Sequence, residues 1–110
     1  MRCDRENVEN ILCHMKKAIM EDKFILVDRH KNQRTLAMLG LMASDVIDEM
    51  MTLSYVNYID GPVVDRDFPE TDKLWIFKKN IDGNTIYIKF KILYQTDGSV
   101  KALSFHIDEI

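Results

Sequence analysis

The strict alternation between Ile86 and Ile92 constrains this chain more than any other feature of its sequence. Isoleucine or phenylalanine occupies every second position, and Tyr87, Lys89 and Lys91 occupy the positions between them. Because successive side chains of a strand point to opposite faces of a sheet, one face of this segment is apolar and the other is polar. The pattern predicts a half-buried strand that presents Tyr87, Lys89 and Lys91 on the open face of a sheet.

The dipeptide Asp82-Gly83 predicts a hairpin just before this strand. Aspartate and glycine tolerate the positive φ angles that a two-residue type I′ turn requires. Such a turn places Trp75 opposite Phe90 in the core. On the other face it places Lys78 opposite Tyr87.

The dipeptide Asp97-Gly98 predicts a second hairpin by the same reasoning. A two-residue turn there places Phe90 opposite Phe105 in the core and Lys89 directly opposite His106 on the open face. A slip of one residue would bury the strand lysines, so the pattern fixes the face that each side chain takes.

Length and composition indicate one domain, residues 1–110. The chain has 110 residues, of which 46% are hydrophobic and 30% charged, enough to bury a core. No apolar run approaches the ~20 residues of a membrane helix. The acidic N-terminus, with Asp4, Glu6 and Glu9, is unlike a signal peptide. We therefore predict a cytoplasmic protein with no membrane segment.

The two cysteines, Cys3 and Cys13, are predicted to be free thiols. Ten residues of helix would hold them ~15 Å apart, too far for a disulfide. Neither these cysteines nor His14 show the spacing of a zinc site. The sequence predicts no metal and no cofactor.

The charge is distributed unevenly although its sum is only −3. Residues 73–106 hold six lysines and two aspartates, whereas the rest of the chain is acidic. This asymmetry suits a sheet face that meets an anion, and a solvated lysine-bearing face is the alternative.

Hydrophobic periodicity predicts three helices before the hairpins. The fold class is therefore α+β, with N-terminal helices packed on one face of a C-terminal antiparallel sheet. The expected elements are a helix from the cap Asp4 to about Glu21, a strand at Lys23–Val27, a helix capped by Asn32 and ending at Gly40, a helix capped by Ser44, a strand at Tyr55–Ile59 and an exposed loop at Gly61–Lys73.

Six short segments follow one another in a characteristic order: Leu39-Gly40-Leu41, Asp45-Val46, Leu53-Ser54-Tyr55, Leu74-Trp75-Ile76-Phe77, Ile86-Tyr87-Ile88-Lys89 and Leu103-Ser104-Phe105-His106. This series, over roughly residues 23–107, resembles the MqsR-type toxins of bacterial toxin–antitoxin pairs. Those toxins belong to the RelE-like group of small ribonucleases. The resemblance implies a RelE-like fold and an mRNA-cleaving toxin that is held inactive by an antitoxin encoded beside it.

The resemblance also implies roles for single positions. The family's strand tyrosine falls on Tyr87, and the basic residue that closes its Ser-Phe-Lys motif falls on His106. Two positions depart from the pattern, because the family's lysine falls near Asp60 and the glutamine after its tryptophan near Ile76. In a chain with these replacements, His106 and the strand lysines would carry the reaction.

RNA cleavage by transesterification needs a base, an acid and positive charge at the phosphorane, and it requires no metal. Histidine side chains can take up a proton near neutral pH, so His106 is the predicted base. Tyr87 would position or protonate the substrate, or stack on a base. Lys89 and Lys91 would bind phosphate. The predicted catalytic residues are thus Tyr87, His106, Lys89 and Lys91, and the predicted RNA-binding residues are Lys78, Arg29 and Lys31.

The sequence is also compatible with two other hypotheses. The net negative charge, Asp60 and Ile76 favour a non-catalytic module that binds a protein or RNA on the same scaffold. The acidic loop is the only support for a mimic of nucleic acid. In either a toxin or a binding module, an edge strand at Tyr55–Ile59 would accept an antitoxin segment by strand addition.

Overall fold

The computed structural model describes residues 3–109, an α+β fold in which this range forms three α-helices and a five-stranded mixed sheet of order β1-β5-β4-β3-β2. The predicted domain, residues 1–110, extends beyond the described range by Met1, Arg2 and Ile110. Within the described range, no helix combines the length and apolar character that crossing a membrane demands. The elements are α1 Arg5–Met20, β1 Phe24–Leu26, α2 His30–Leu39, α3 Ala43–Met51, a 3-10 turn Tyr55–Asn57, β2 Tyr58–Val64, β3 Lys73–Ile81, β4 Asn84–Ile92 and β5 Val100–Ile107.

Helix α1 begins as predicted. The Asp4 side chain accepts a hydrogen bond from the backbone N–H of Asn7 at 2.9 Å, which satisfies one of the free donors of the first turn. The periodic apolar positions face inward because residues three and four apart share one side of a helix. The buried residues of α1 are Val8, Ile11, Leu12, Met15 and Ala18.

The hairpin of β3 and β4 has the predicted register. Asp82 and Gly83 both have positive φ, 51° and 81°, as the two-residue turn requires. Trp75 pairs with Phe90 and Lys78 pairs with Tyr87. The prediction from this turn is confirmed.

The predicted register between β4 and β5 is wrong, by two residues at the His106 end and by three residues where Phe90 pairs with Ala102 and not with Phe105. Lys89 pairs with Ser104 and not with His106, whose partner is Tyr87. Phe105 accordingly pairs with Ile88. Because the displacement is even, His106 keeps the predicted face and lies beside Tyr87.

The cause is the connection between the two strands. Residues 93–99 form a longer loop instead of a two-residue turn, closed by hydrogen bonds from Leu93 N to Ser99 O at 2.8 Å and from Gly98 N to Leu93 O at 3.0 Å. The register also shifts within the pair of strands. Because Lys89 pairs with Ser104, regular pairing would place Phe90 opposite Leu103, but Phe90 pairs with Ala102. The extra residue is a β-bulge, which the alternation pattern alone does not reveal.

Strand β1 makes the sheet mixed, whereas an antiparallel sheet was predicted. It lies parallel to β5, with Phe24 beside Val100 and Leu26 beside Ala102. β1 therefore covers only the first part of the β5 edge.

Helix α2 covers the remainder of that edge through Asn32, which was predicted to cap the helix. The helix instead begins at His30, and Asn32 is fully buried within its first turn. Its Oδ1 accepts a hydrogen bond from Phe105 N at 2.9 Å, and its Nδ2 donates to Leu103 O at 3.1 Å and to Val27 O at 3.0 Å. An amide side chain thus takes the place of a neighbouring strand.

Most of the remaining elements differ from prediction only at their ends, and the predicted strand at Tyr55–Ile59 differs in type. Helix α2 ends at Gly40, in the left-handed conformation, as predicted. Helix α3 begins at Ala43, not after a Ser44 cap, because the Asp45 carboxylate accepts the Met42 N–H at 2.7 Å. The predicted strand at Tyr55–Ile59 is a 3-10 turn followed by β2, and β2 takes in the start of the predicted loop at Gly61–Lys73.

One face of the sheet forms the core with α1 and α3. The rings of Phe77, Phe90 and Phe105 are fully buried there together with Val46 and Met50. The opposite face, here called the open face, carries the polar side chains of β3, β4 and β5. The start of α2 borders the open face on one side, and residues 63–72 border it on the other.

Candidate functional site

The open face contains a groove of about 450 Å³. Its floor includes Ile76, Tyr87 and Lys89, which β3 and β4 place on this face by the confirmed register. Arg29, the residue before α2, lines one side, and residues 63–67 line the other. We call this concavity the open-face groove.

Three cations converge in the open-face groove: Arg29, Arg66 and Lys89. Burial, with the positive charges of Arg29 and Arg66, lowers the pKa of Lys89. Asp65 and Asp67 also line the groove, and Asp65 accepts a hydrogen bond from the buried Lys91. Because the cations repel one another at close range, an anion in the groove would be stabilised by all three.

Tyr87, in the floor of the groove, stacks on His106. Their ring centroids lie 5.5 Å apart with an interplanar angle of 29°. Burial, and then the charge of Asp108, raises the pKa of Tyr87, so its phenol stays protonated at neutral pH and can donate a hydrogen bond. His106 Nδ1 lies 3.0 Å from the carbonyl oxygen of Ile107. Since that carbonyl only accepts, a neutral His106 making this bond holds its proton on Nδ1 and a lone pair on Nε2.

A second, smaller concavity of about 230 Å³ adjoins the stacked pair. It is lined by His106 together with Lys31 and Arg34 on the exposed side of α2. Tyr87 lines the groove and His106 lines this pocket, so the pair marks the boundary between the two concavities. Arg29 therefore lines the open-face groove and Lys31 lines the smaller pocket, although both were predicted to extend one RNA-binding surface.

Lys91 has a different environment from the predicted one. Its side chain is only 4% exposed, and its Nζ lies 2.8 Å from Asp65 Oδ2 and 2.7 Å from Asp72 Oδ2. Burial opposes the charge of this lysine, but its hydrogen bonds to Asp65 and Asp72 outweigh that effect and raise the pKa of Lys91. The alternation placed Lys91 on the correct face, and the loop predicted to be exposed covers it there. A direct contact of this ammonium with phosphate does not fit the geometry.

Lys78 lies on the open face, where it pairs with Tyr87 across the hairpin. Its Nζ is 2.7 Å from Asp108 Oδ2, in an ion pair whose lysine remains partly exposed. A phosphate near Lys78 would have to compete with this carboxylate.

Sequence reasoning missed two basic residues of this surface, Arg66 and Arg34. Arg66 stands between two aspartates in an acidic segment, so the net charge of that segment does not indicate a basic site. Arg34 follows Lys31 by three residues on a helix, and that spacing places both on one side and was a usable signal.

Comparison of the chain with protein-family models, with curated proteins and with solved structures gives no match. The functional interpretation therefore rests on the groove, the stacked pair and the cations around them.

Proposed function

We propose that the chain is a metal-independent endoribonuclease that binds single-stranded RNA in the open-face groove, and that it acts as an MqsR-type toxin with a RelE-like fold. One observation carries the proposal: Arg29, Arg66 and Lys89 line a groove together with Tyr87, whose ring stacks on His106. Cations beside a proton donor and a proton acceptor are the groups that RNA transesterification requires.

Each group has a defined role in the proposed reaction. The lone pair on His106 Nε2 takes the proton of the ribose 2′-hydroxyl, whose oxygen then forms a bond to phosphorus. The bond from phosphorus to the 5′-oxygen breaks, and Tyr87 donates its phenolic proton to that leaving oxygen. Proton exchange with water then returns His106 and Tyr87 to their starting forms. Lys89 stabilises the charge that develops on the phosphorane oxygens, and the two arginines bind the RNA phosphates. The products are a 2′,3′-cyclic phosphate and a free 5′-hydroxyl.

The biological class follows from the resemblance to the toxin family. The positions of its strand tyrosine and of its closing basic residue fall on Tyr87 and His106, which the structure brings into contact. A chain of this class acts on mRNA in the cytoplasm and is neutralised by a cognate antitoxin encoded beside it.

Growth of cells induced to express the chain tests this function. The parent chain should arrest growth, His106→Ala should not, and His14→Ala on α1 should behave as the parent. All three chains are compared at matched protein level, with and without the neighbouring gene, which should relieve the arrest. Equal growth of parent and His106→Ala would contradict the proposal.

A second candidate is a module that binds RNA without cutting it. Two observations favour it: His106 lines the pocket that adjoins the groove rather than the groove itself, and Asp60 and Ile76 stand where the toxin family has lysine and glutamine. Such a module would bind single-stranded RNA through Arg29 and Lys89. Its affinity would be unchanged by His106→Ala, and no RNA fragments would appear.

A further inference from the structure

We propose that Lys91 is a positioning residue for the open-face groove: it holds the loop of residues 65–72 against the sheet so that Arg66 meets the bound RNA. This inference rests on the proposed function, because it takes the groove as the RNA site. Lys91 itself contacts neither substrate nor reacting atoms in this proposal.

The ammonium of Lys91 joins both ends of the loop to strand β4. Its two partners, Asp65 and Asp72, are the first and the last residues of the loop, at 2.8 and 2.7 Å. A backbone hydrogen bond from Asp65 N to Asp72 O at 3.3 Å closes the same ends. The ring of Phe68, in the middle of the loop, lies over the ammonium with its centroid 4.7 Å away. We call Lys91, Asp65 and Asp72 the loop anchor.

The loop anchor is connected to Arg66 through one carboxylate. One oxygen of Asp65 accepts from Lys91, and the other accepts the backbone N–H of Asp67 at 2.9 Å. The backbone on both sides of Arg66 is therefore tied to a group that Lys91 holds. Arg66 in turn lines the groove and lies close enough to Lys89 to affect its pKa.

A buried ion pair is a costly way to stabilise a fold but an effective way to specify one arrangement. Apolar residues of similar volume often give equal or greater stability at such positions. Hydrogen bonds from one ammonium to two carboxylates, in contrast, are satisfied only when the loop adopts one position. The loop anchor thus suits a segment that must present an arginine at a fixed place.

Cleavage kinetics on a short single-stranded RNA test the inference through Asp72→Asn, Lys91→Met and Arg66→Ala. Loss of one well-placed phosphate contact should raise KM roughly tenfold. Because the chemistry lies at Tyr87 and His106, kcat should change less than about twofold. Lys73→Met, which removes an exposed lysine next to the loop, is the matched control and should leave KM unchanged.

A double variant separates positioning from general damage. If the loop anchor acts through Arg66, adding Asp72→Asn to Arg66→Ala should raise KM no further, whereas independent effects would multiply. Thermal melting of each variant identifies the folded fraction. Asp72→Asn leaves Lys91 paired with Asp65, so it carries the test if Lys91→Met does not fold.

The outcomes distinguish this inference from the proposed function. A parent chain that cleaves RNA, with KM unchanged in folded loop-anchor variants or with multiplying effects, overturns the positioning role alone. A parent that binds RNA without cleaving it overturns the proposed nuclease activity. The positioning role is then tested by Kd: each single variant should raise Kd about tenfold, and the double variant should raise it no further. A parent that neither cleaves nor binds RNA overturns both.

Discussion

Replacing Asn32 with alanine should destabilise the protein by about 3–5 kcal/mol. The buried amide satisfies Phe105 N–H and Leu103 C=O on the edge of β5, together with Val27 C=O. Alanine would remove the partner of each group while α2 still shields the edge from water. Leaving a buried donor or acceptor unsatisfied costs about 1–3 kcal/mol, and two such groups lie within the sheet. The loss is a large part of the roughly 5–15 kcal/mol that stabilises an ordinary domain.

Urea denaturation followed by far-UV circular dichroism measures this loss. Gln33→Ala, at the next and exposed position of α2, is the matched control and should change stability by no more than about 0.5 kcal/mol. Asn32→Asp keeps the volume but loses the amide donor. Its destabilisation should shrink as the pH falls, because a protonated carboxyl group can again donate a hydrogen bond.

A loss of less than about 1 kcal/mol for Asn32→Ala would contradict the role of this amide at the β5 edge. It would show that water or a shifted backbone satisfies the β5 edge when the amide is absent. Since α2 carries Lys31 and begins next to Arg29, the expected loss should also weaken RNA binding under conditions where the variant is partly unfolded.

Four further predictions follow from the charges of the open face. Lys91→Met should destabilise the chain by about 3–5 kcal/mol in urea, because two carboxylates lose their buried partner; an unchanged midpoint would contradict this. Hydrogen bonds from Lys91 hold the pKa values of Asp65 and Asp72 below the usual 3.8, so their contribution to stability is present above that pH and is lost as the pH falls through the lowered values. Acid titration of Asp72→Asn should therefore show a smaller loss than the parent, and identical curves would count against it. Three phosphate contacts predict that log Kd for single-stranded RNA rises with log salt with a slope of about 2, and Arg29→Ala should lower the slope by about 0.7. Tyr87→Phe should slow cleavage by about 10²-fold or more with little change in binding, and full activity would remove Tyr87 from the proton transfer.

The sequence was most informative where a turn and an alternating strand specified the same register. Asp82-Gly83 forms a two-residue turn, and a turn of that length allows only one register between the strands on either side. The partners of Trp75 and Tyr87 could therefore be predicted directly. Alternation also assigned Tyr87, Lys89 and His106 to one face, since a shift by two residues preserves the face.

The β4–β5 pairing could not be predicted in the same way. Asp97-Gly98 lies inside a loop that is closed by hydrogen bonds from Leu93 N to Ser99 O and from Gly98 N to Leu93 O. Hydrophobic periodicity does not indicate either of these bonds. The alternation of apolar and polar residues also does not predict the β-bulge that places Ala102 opposite Phe90.

Part of the candidate site depends on contacts between distant segments. Lys91 meets Asp65 and Asp72 across 26 and 19 residues of chain, and an acidic segment with two prolines nearby favours an exposed loop when it is read locally. The role of Asn32 was hidden for the same reason, because its partners on β5 are 71 and 73 residues away.

The most direct test of the account is to incubate the purified chain with a labelled single-stranded RNA in EDTA and to identify the fragment ends. We expect fragments that end in a 2′,3′-cyclic phosphate, no fragments with His106→Ala, and no fragments from a strand with 2′-deoxyribose throughout. Intact RNA, or cleavage that EDTA abolishes, would contradict the assignment of a metal-independent ribonuclease site to the open-face groove.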